Sequence, residues 1–211
     1  WEYVSCVIEG EISSDDTLLH ALPLYHCAQL DVFLGPAIYV GASSVITGKP
    51  TPDSILPLLA RHRINSFFAP PSIWIALMRA PAFDTTDLSA LRKGDYGASI
   101  MPVEVLKEIA RRLPQVRLWN FYGQTEIAPL ATVLKPEDQI RKAGSAGRPV
   151  LNVETRVVDG DMQPVRPGEI GEIVHRSPQL LTGYFNDPER TAAAFEGGWF
   201  HSGDLATIDD E

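Results

Sequence analysis

Asn120-Phe121-Tyr122-Gly123-Gln124-Thr125-Glu126 is the stretch on which the interpretation of this sequence depends. It follows an apolar run at residues 116–119 that predicts a buried strand, and it precedes a second apolar run at residues 127–134. Loops at the carboxyl ends of strands are where open α/β sheets bind ligands. The heptapeptide is therefore a candidate binding loop, and a polar turn between two strands is the alternative.

The side chains of this heptapeptide offer four different contacts. Tyr122 can stack on a flat base, and Gly123 lets the backbone approach a ligand closely. Thr125 can donate to a phosphate oxygen. Glu126 offers a hard oxygen ligand for Mg²⁺, which usually takes one or two protein carboxylates together with phosphate oxygens.

Length, charge and composition are those of an ordinary globular protein. The 211 residues suffice for one large or two modest domains with a sizeable core. The net charge is −9, and no run of Lys or Arg exceeds two residues. Nucleic-acid binding depends on clustered positive charge, so we expect no nucleic acid partner.

Cysteine usage and hydropathy bear on the compartment. Cys6 and Cys27 have no metal-ligand spacing and form no disulfide framework, which favours a reducing compartment, the cytoplasm. The longest apolar-rich stretch, residues 32–46, is broken by Gly, Pro and Ser and is shorter than the ~20 residues of a spanning helix. We expect neither a transmembrane segment nor a signal peptide.

Apolar patterns alternate between strand and helix over the first 140 residues. Thr51 is a predicted N-cap with Pro52 in the first helical position, and Gly35-Pro36 is a predicted kink. The strands are predicted at residues 18–24, 44–47, 66–69 and 96–99, and the helices at residues 28–40, 52–62, 72–79, 87–91 and 102–113. This alternation predicts an α/β fold with a parallel βαβ sheet and right-handed crossovers.

The pattern changes near residues 135–147. Residues 153–158 and 169–174 predict short antiparallel strands of a sandwich or barrel, and Asp187 and Pro188 open one short helix. We therefore expect an α/β part over residues 1–140 and a small β part over residues 141–211.

Three of the predicted strands lead into small-residue or polar loops, and these loops carry a family resemblance. With three further segments, in the same order along the chain, they resemble the motifs of the adenylate-forming superfamily: acyl-CoA synthetases, adenylation domains of peptide synthetases and firefly-type luciferases. The segments are Pro23-Leu24-Tyr25-His26, Gly97-Ala98-Ser99, residues 120–126, residues 168–173, Thr182-Gly183-Tyr184-Phe185 and Trp199-Phe200-His201-Ser202-Gly203-Asp204.

The resemblance implies both a fold and a reaction. The fold is the later part of the superfamily's N-terminal domain, a parallel βαβ sheet followed by a small antiparallel β-barrel. The reaction joins a carboxylic acid to AMP from ATP and Mg²⁺ with release of pyrophosphate, after which a thiol, commonly that of CoA, displaces AMP. Such transfers depend on positioning and electrostatics.

The resemblance also implies residue roles. Tyr122 stacks on adenine, with Gly97, Ala98 and Ser99 along its other side, and Asp204 accepts the ribose hydroxyls. Thr125 binds the α-phosphate, Glu126 holds Mg²⁺, and His26 lies where the acyl group meets the incoming thiol. The remaining cofactor-binding positions are Asn120, Phe121, Gly123 and Gln124.

Each of these roles has a structural alternative. Tyr122 as a core aromatic, Thr125 or Asp204 as a turn cap, Glu126 as a solvated carboxylate and His26 as a buried histidine are all compatible with the sequence. The other histidines show no partner pattern and are interpreted as structural or surface residues: His20, His62, His175 and His201.

Two departures from the superfamily pattern indicate a partial chain. The sequence has no Gly/Ser/Thr-rich phosphate loop ending in lysine, and no C-terminal domain with a catalytic lysine. We therefore expect a longer parent protein to be the enzyme, and these residues alone to turn over little or nothing.

The substrate is predicted from the wall that the resemblance assigns to the acyl pocket. Its members are apolar or small, which favours a fatty or other apolar acid: Ile73, Trp74, Ala98, Ile100 and Met101. An aryl acid stays open because apolar pockets discriminate weakly by size, and Asp31 is the one acid near the position that an amino-acid substrate would need. A non-catalytic nucleotide- or acyl-binding module, transfer to a carrier protein instead of CoA, and oligomer formation also stay open.

Overall fold

Seven strands form the larger of two β-sheets in the computed structural model, which describes residues 1–210. The spatial order is β2-β1-β3-β4-β5-β6-β7, parallel through β5 and antiparallel at β6 and β7. The strands are β1 (Thr17–His20), β2 (Ser43–Ile46), β3 (Ser66–Phe68), β4 (Lys93–Gly97), β5 (Arg117–Gly123), β6 (Leu130–Leu134) and β7 (Arg148–Pro149). The predicted parallel sheet is confirmed for the first five strands.

Helices of ten residues or fewer connect the strands. They are α1 (Glu2–Glu9), a π-helix (Ala28–Leu34), α2 (Gly35–Val40), α3 (Pro52–Arg61), α4 (Pro71–Arg79) and α5 (Val103–Arg112). The expected kink at Gly35-Pro36 is the point where the π-helix becomes α2. No helix formed by residues 1–210 has the length and apolar character needed to cross a membrane.

One predicted helix was wrong, and one observed helix was not predicted. Residues 87–91 form a turn rather than a helix, because the Asp87 carboxylate accepts the Ser89 N–H at 3.0 Å and competes with helical bonding. A 3₁₀ turn (Pro81–Thr85) precedes it. Helix α1 was not predicted from the sequence at all.

Alternation along the strands places apolar side chains on both faces of the large sheet. Leu19, Phe67 and Leu118 pack with α3, α4 and α5. Their chain neighbours belong to a second core with α1, the π-helix and α2: Leu18, Phe68 and Trp119. Both faces are thus covered, as a mostly parallel sheet requires.

The smaller sheet has three antiparallel strands. They are β8 (Glu154–Val158), β9 (Ile170–Arg176) and β10 (Phe200–Thr207), in the order β10-β9-β8, with α6 (Pro188–Ala194) between β9 and β10. Asp187 caps α6 as predicted, accepting the Arg190 N–H at 3.0 Å. The predicted antiparallel unit is confirmed, as a three-stranded sheet within residues 1–210 rather than a closed barrel. Strand β7 belongs to the large sheet although it lies after residue 140, where the first predicted part ends. The limits of the two predicted parts stay a prediction.

Candidate functional site

A cleft of about 280 Å³ opens at the carboxyl ends of β4 and β5. These strands are parallel neighbours with Gly97 paired to Phe121, so the residues that follow them meet at one edge of the sheet. Nine predicted site residues line the cleft: His26, Gly97, Ala98, Phe121, Tyr122, Gly123, Gln124, Thr125 and Glu126. Ser99, Asn120 and Asp204 do not line it.

The heptapeptide is part strand and part turn. Residues 120–123 belong to β5, because Asn120, Phe121 and Tyr122 pair with β6 on their antiparallel side. The expectation of a loop is therefore correct only from Gln124, and a 3₁₀ turn (Thr125–Ile127) follows. The buried Asn120 amide donates to the Ser145 carbonyl at 3.0 Å, which makes it a link to the segment before β7.

Close backbone packing at the cleft requires two of its glycines. A Cβ at Gly123 would lie 1.8 Å from the Pro129 carbonyl oxygen, and one at Gly97 would lie 2.5 Å from the Phe121 carbonyl oxygen. Nonbonded atoms do not approach each other this closely, so neither position accepts a side chain without a backbone shift. Ala98 adopts a positive φ of 65°, which turns the chain out of β4.

One hydrogen bond connects the two sheets at this site. The Tyr122 hydroxyl donates to Asp204 Oδ2 at 2.7 Å. Burial, and then the bond to this carboxylate, raises the pKa of Tyr122 well above its usual value. Asp204 is exposed and lies within β10, at a register shift between His201 and Leu205, rather than after a strand end.

The bulge that carries Asp204 is held by its neighbours. Gly203, with a φ of 78°, donates its N–H to Glu172 Oε1 at 3.0 Å. The Ser202 hydroxyl donates to the Ile173 carbonyl at 2.6 Å and accepts the Asp204 N–H at 3.0 Å. The Asp204 carboxylate is thereby directed toward the Tyr122 hydroxyl.

The Glu126 carboxylate is held by two polar side chains. The Tyr184 hydroxyl donates to Oε1 at 3.0 Å, and the Gln124 amide donates to Oε2 at 3.4 Å. Burial and the bond to Glu126 raise the pKa of Tyr184. Sequence reasoning assigned no role to Tyr184, although its segment was one of the six that carried the resemblance.

Cys27 contacts both Thr125 and His26. The Cys27 sulfur lies 3.3 Å from Thr125 Oγ1. His26 is exposed rather than buried, and its Nδ1 accepts the Ala28 N–H at 3.1 Å, so neutral His26 carries its proton on Nε2. Cys27 has no family pattern by which the sequence could have identified it as part of the cleft.

A buried histidine anchors the segment that bears His26. His20 Nε2 lies 3.0 Å from the Ser44 hydroxyl, and its Nδ1 lies 2.9 Å from the Gln29 amide nitrogen. Burial lowers the pKa of His20 to about 4, so the ring is neutral. The structural interpretation of His20 agrees with this geometry. His175 is also buried with a pKa lowered to about 4 by burial, and His201 contacts Glu172 at 2.8 Å.

The apolar wall of the cleft differs from the predicted one. Of the five predicted wall residues only Ala98 lines the cleft: Trp74 and Met101 are buried in the core, and Ile100 is 69% exposed. The Trp74 indole is fixed there by a hydrogen bond to the Asp95 carbonyl at 3.2 Å. The large aliphatic and phenylalanine side chains that do line the cleft are Val32, Phe33, Phe68, Phe121 and Leu130.

The cleft offers a hard metal ion one carboxylate, that of Glu126. Among residues 1–210 no three His, Cys, Asp or Glu side chains lie together as a complete metal site. Glu126 with the adjacent Thr125 hydroxyl is an oxygen donor set of the kind that Mg²⁺ takes when phosphate and water supply its other ligands. Asp31 does not line the cleft.

The fold and the cleft agree with the comparisons to known proteins. The family model for AMP-binding enzymes matches residues 2–185. The chain therefore belongs to the AMP-binding enzyme family. It superimposes with a TM-score of 0.92 on the N-terminal domain of FACL13 from Mycobacterium tuberculosis, at 30% identity over 99% of this chain and 52% of that one.

Two curated relatives show the range of the similarity. Indoleacetate–CoA ligase of Aromatoleum aromaticum is 36% identical over the whole chain, which spans 41% of that protein. The medium/long-chain-fatty-acid–CoA ligase FadD8 of Mycobacterium tuberculosis is 33% identical over 96% of the chain, which spans 35% of that protein. The chain thus spans about two fifths of the length of these relatives.

Proposed function

We propose that this chain is part of an ATP-dependent acid–thiol ligase, an acyl-CoA synthetase, for which it supplies residues that bind adenosine, the α-phosphate and Mg²⁺. The observation that carries the proposal is the convergence of Tyr122, Thr125, Glu126 and His26 on one cleft. The hydrogen bond from Tyr122 brings Asp204 to the edge of the same site.

The adenosine half of the proposed site consists of Tyr122, Asp204 and the Gly97-Ala98-Ser99 turn. The Tyr122 ring offers a face for adenine, and the turn at Ala98 lies beside it along the cleft. Asp204 is exposed and keeps free lone pairs on both oxygens while it accepts one hydrogen bond from Tyr122. A ribose with adjacent hydroxyls suits such a carboxylate.

The phosphate half consists of Thr125 and Glu126. A carboxylate substrate is a poor nucleophile toward an anionic phosphate, so charge neutralisation and alignment are what the protein must provide. Mg²⁺, when bound, would neutralise phosphate charge. Glu126 would hold it, and the Thr125 hydroxyl would donate to the α-phosphate while the acid oxygen attacks phosphorus and pyrophosphate leaves.

His26 and the apolar wall form the acyl half. Because Nδ1 of His26 accepts the Ala28 N–H, the ring presents Nε2 at the cleft edge, where the thiol would meet the acyl-AMP. The wall offers aromatic and aliphatic side chains and no charge, which supports an aryl or alkyl acid over an amino acid. The relatives named above act on indoleacetate and on medium and long-chain fatty acids. CoA is the proposed acceptor, and the two free cysteines suit a cytoplasmic enzyme.

Calorimetric titration of Mg·ATP, and then of a non-hydrolysable acyl-AMP analogue, into the chain tests the adenosine site. We expect binding that Asp204→Ala weakens roughly 10- to 100-fold, the loss of two hydrogen bonds of about 1 kcal/mol each at an exposed carboxylate. Asp161→Ala, an exposed aspartate in a turn of the small sheet, is the matched control. Equal binding by the wild type and Asp204→Ala would refute the proposed ribose contact.

A panel of acyl-AMP analogues with alkyl, aryl and aminoacyl groups tests the substrate class. We expect the alkyl or aryl analogue to bind more tightly than the aminoacyl one, because the wall has no carboxylate for an ammonium group. Preference for the aminoacyl analogue would overturn the acyl-CoA synthetase proposal in favour of amino-acid activation.

A further inference from the structure

A glutamine outside the cleft holds the turn that carries the phosphate-site residues. The Gln179 amide nitrogen lies 2.9 Å from the Ile127 carbonyl and 2.8 Å from the Leu130 carbonyl. The backbone beside it makes a further contact, from the Leu181 N–H to the Glu126 carbonyl at 2.8 Å. The segment that follows β9 is thus attached at three points to residues 126–130.

Helix α1 approaches the same turn from the other side through Glu2. Glu2 is 7% exposed, and its Oε1 accepts the Leu130 N–H at 3.1 Å. Its Oε2 lies 2.8 Å from the same Gln179 amide nitrogen. Glu2 and Gln179 therefore contact each other and both contact Leu130, so three separated segments of the chain meet at one turn.

We propose that Glu2 and Gln179 are positioning residues: they fix the backbone of residues 126–130 and, through it, the Glu126 carboxylate and the Thr125 hydroxyl for magnesium and phosphate binding. This inference rests on the proposed function of the cleft. Neither residue lines the cleft, so their effect passes through the turn.

The chemistry of the pair suits a fixed support. Burying a carboxylate is costly, and the groups that face Glu2 include the Cys6 thiol, the Asp31 carboxylate and the N-terminal ammonium group. Burial raises the pKa of Glu2 to about 8, so the acid is neutral at neutral pH. Gln179 Oε1 is buried and has no hydrogen-bond partner within residues 1–210, so the Gln179 side chain contacts the turn and Glu2 through its amide nitrogen alone.

Four variants of the chain test the inference. Glu2→Leu and Gln179→Leu remove the polar contacts to the turn, whereas Glu2→Gln keeps a carbonyl oxygen that can accept the Leu130 N–H. Ser5→Ala is the matched control, because Ser5 is buried on the same helix and its hydroxyl donates to the Leu151 carbonyl at 2.7 Å, away from the turn.

Hydrogen exchange of the peptide spanning residues 126–131 measures how firmly the turn is held. We expect at least tenfold faster exchange in both leucine variants and unchanged exchange in Glu2→Gln and Ser5→Ala. Unchanged exchange in both leucine variants would overturn the inference, whatever their ligand binding.

Calorimetry with adenosine, and with ATP in the presence and absence of MgCl₂, separates this inference from the proposed function. We expect the Mg²⁺-dependent gain in ATP affinity to be roughly tenfold smaller in the leucine variants, as is typical when a group that holds a metal ligand is removed, and adenosine affinity to stay at the wild-type value. An unchanged gain, an equal loss for adenosine, or a wild type that binds ATP without any gain would overturn the positioning role. A wild type that binds neither adenosine nor ATP would refute the proposed function itself.

Discussion

The bond between Tyr122 and Asp204 gives a prediction that needs only two substitutions. Tyr122→Phe removes the hydroxyl and keeps the ring, whose centroid lies 6.3 Å from that of His175. A hydrogen bond to a charged group contributes about 1.5–3 kcal/mol, but Asp204 is exposed and its carboxylate regains water when the bond is lost. We therefore expect a loss of about 1 kcal/mol in the free energy of unfolding, below that range.

A double-mutant cycle isolates this bond from other effects. Urea unfolding of the wild type, Tyr122→Phe, Asp204→Ala and the double variant should give a coupling energy of about 1 kcal/mol, because the two side chains are in direct contact. In a parallel titration, the Kd values for 2′-deoxyadenosine and adenosine should differ less for Tyr122→Phe than for the wild type. A coupling below about 0.3 kcal/mol, within the scatter of independent sites, would refute the reasoning.

Three further predictions concern packing, pH and the metal site. Gly123→Ala should destabilise the chain by about 1–3 kcal/mol, since its Cβ would lie 1.8 Å from a carbonyl oxygen, whereas Gly48→Ala in open space should be near neutral by urea unfolding. Because the folded pKa of His20 is lowered to about 4, unfolded chains bind more protons between pH 4 and 6.5. Stability should therefore fall as the pH falls through that range, and His20→Gln should reduce this slope by up to about 1.4 kcal/mol per pH unit. Tyr184→Phe frees one oxygen of Glu126 and should change the Mg²⁺-dependent gain in ATP affinity, with adenosine affinity unchanged in calorimetry.

The convergence of the cleft residues was predictable because it follows from sheet topology. A run of alternating strands and helices predicts parallel strands whose carboxyl ends share one edge, and the polar residues follow those ends. Gly97 and Phe121 are register partners in neighbouring strands, as such a sheet requires. The limit of β5 was not predictable in this way, because its extension through Gly123 depends on pairing with β6, a contact made only after the chain reverses.

The wall of the cleft shows why residue type alone is insufficient. Trp74 and Met101 have the apolar character of pocket residues, but the same character places them in the core. What decides between the two locations for Trp74 is one hydrogen bond to the Asp95 carbonyl, 21 residues away, together with the edge contact of its ring with Phe67 at 5.4 Å. The Phe33 ring that lines the cleft instead is fixed by stacking on Phe68 with centroids 4.4 Å apart.

The residues that support the site are the hardest to predict from the sequence, because they depend on contacts between distant segments. Glu126 is held by Tyr184, 58 residues along the chain, and Leu130 is held by Glu2, 128 residues before it. No periodicity or short motif records such pairs, and an acid in the first turn of a short helix is common for reasons of the helix dipole alone. The residues that line the cleft can thus be predicted from local pattern and resemblance, whereas the groups that hold them in place become visible only when the two sheets and α1 are brought together.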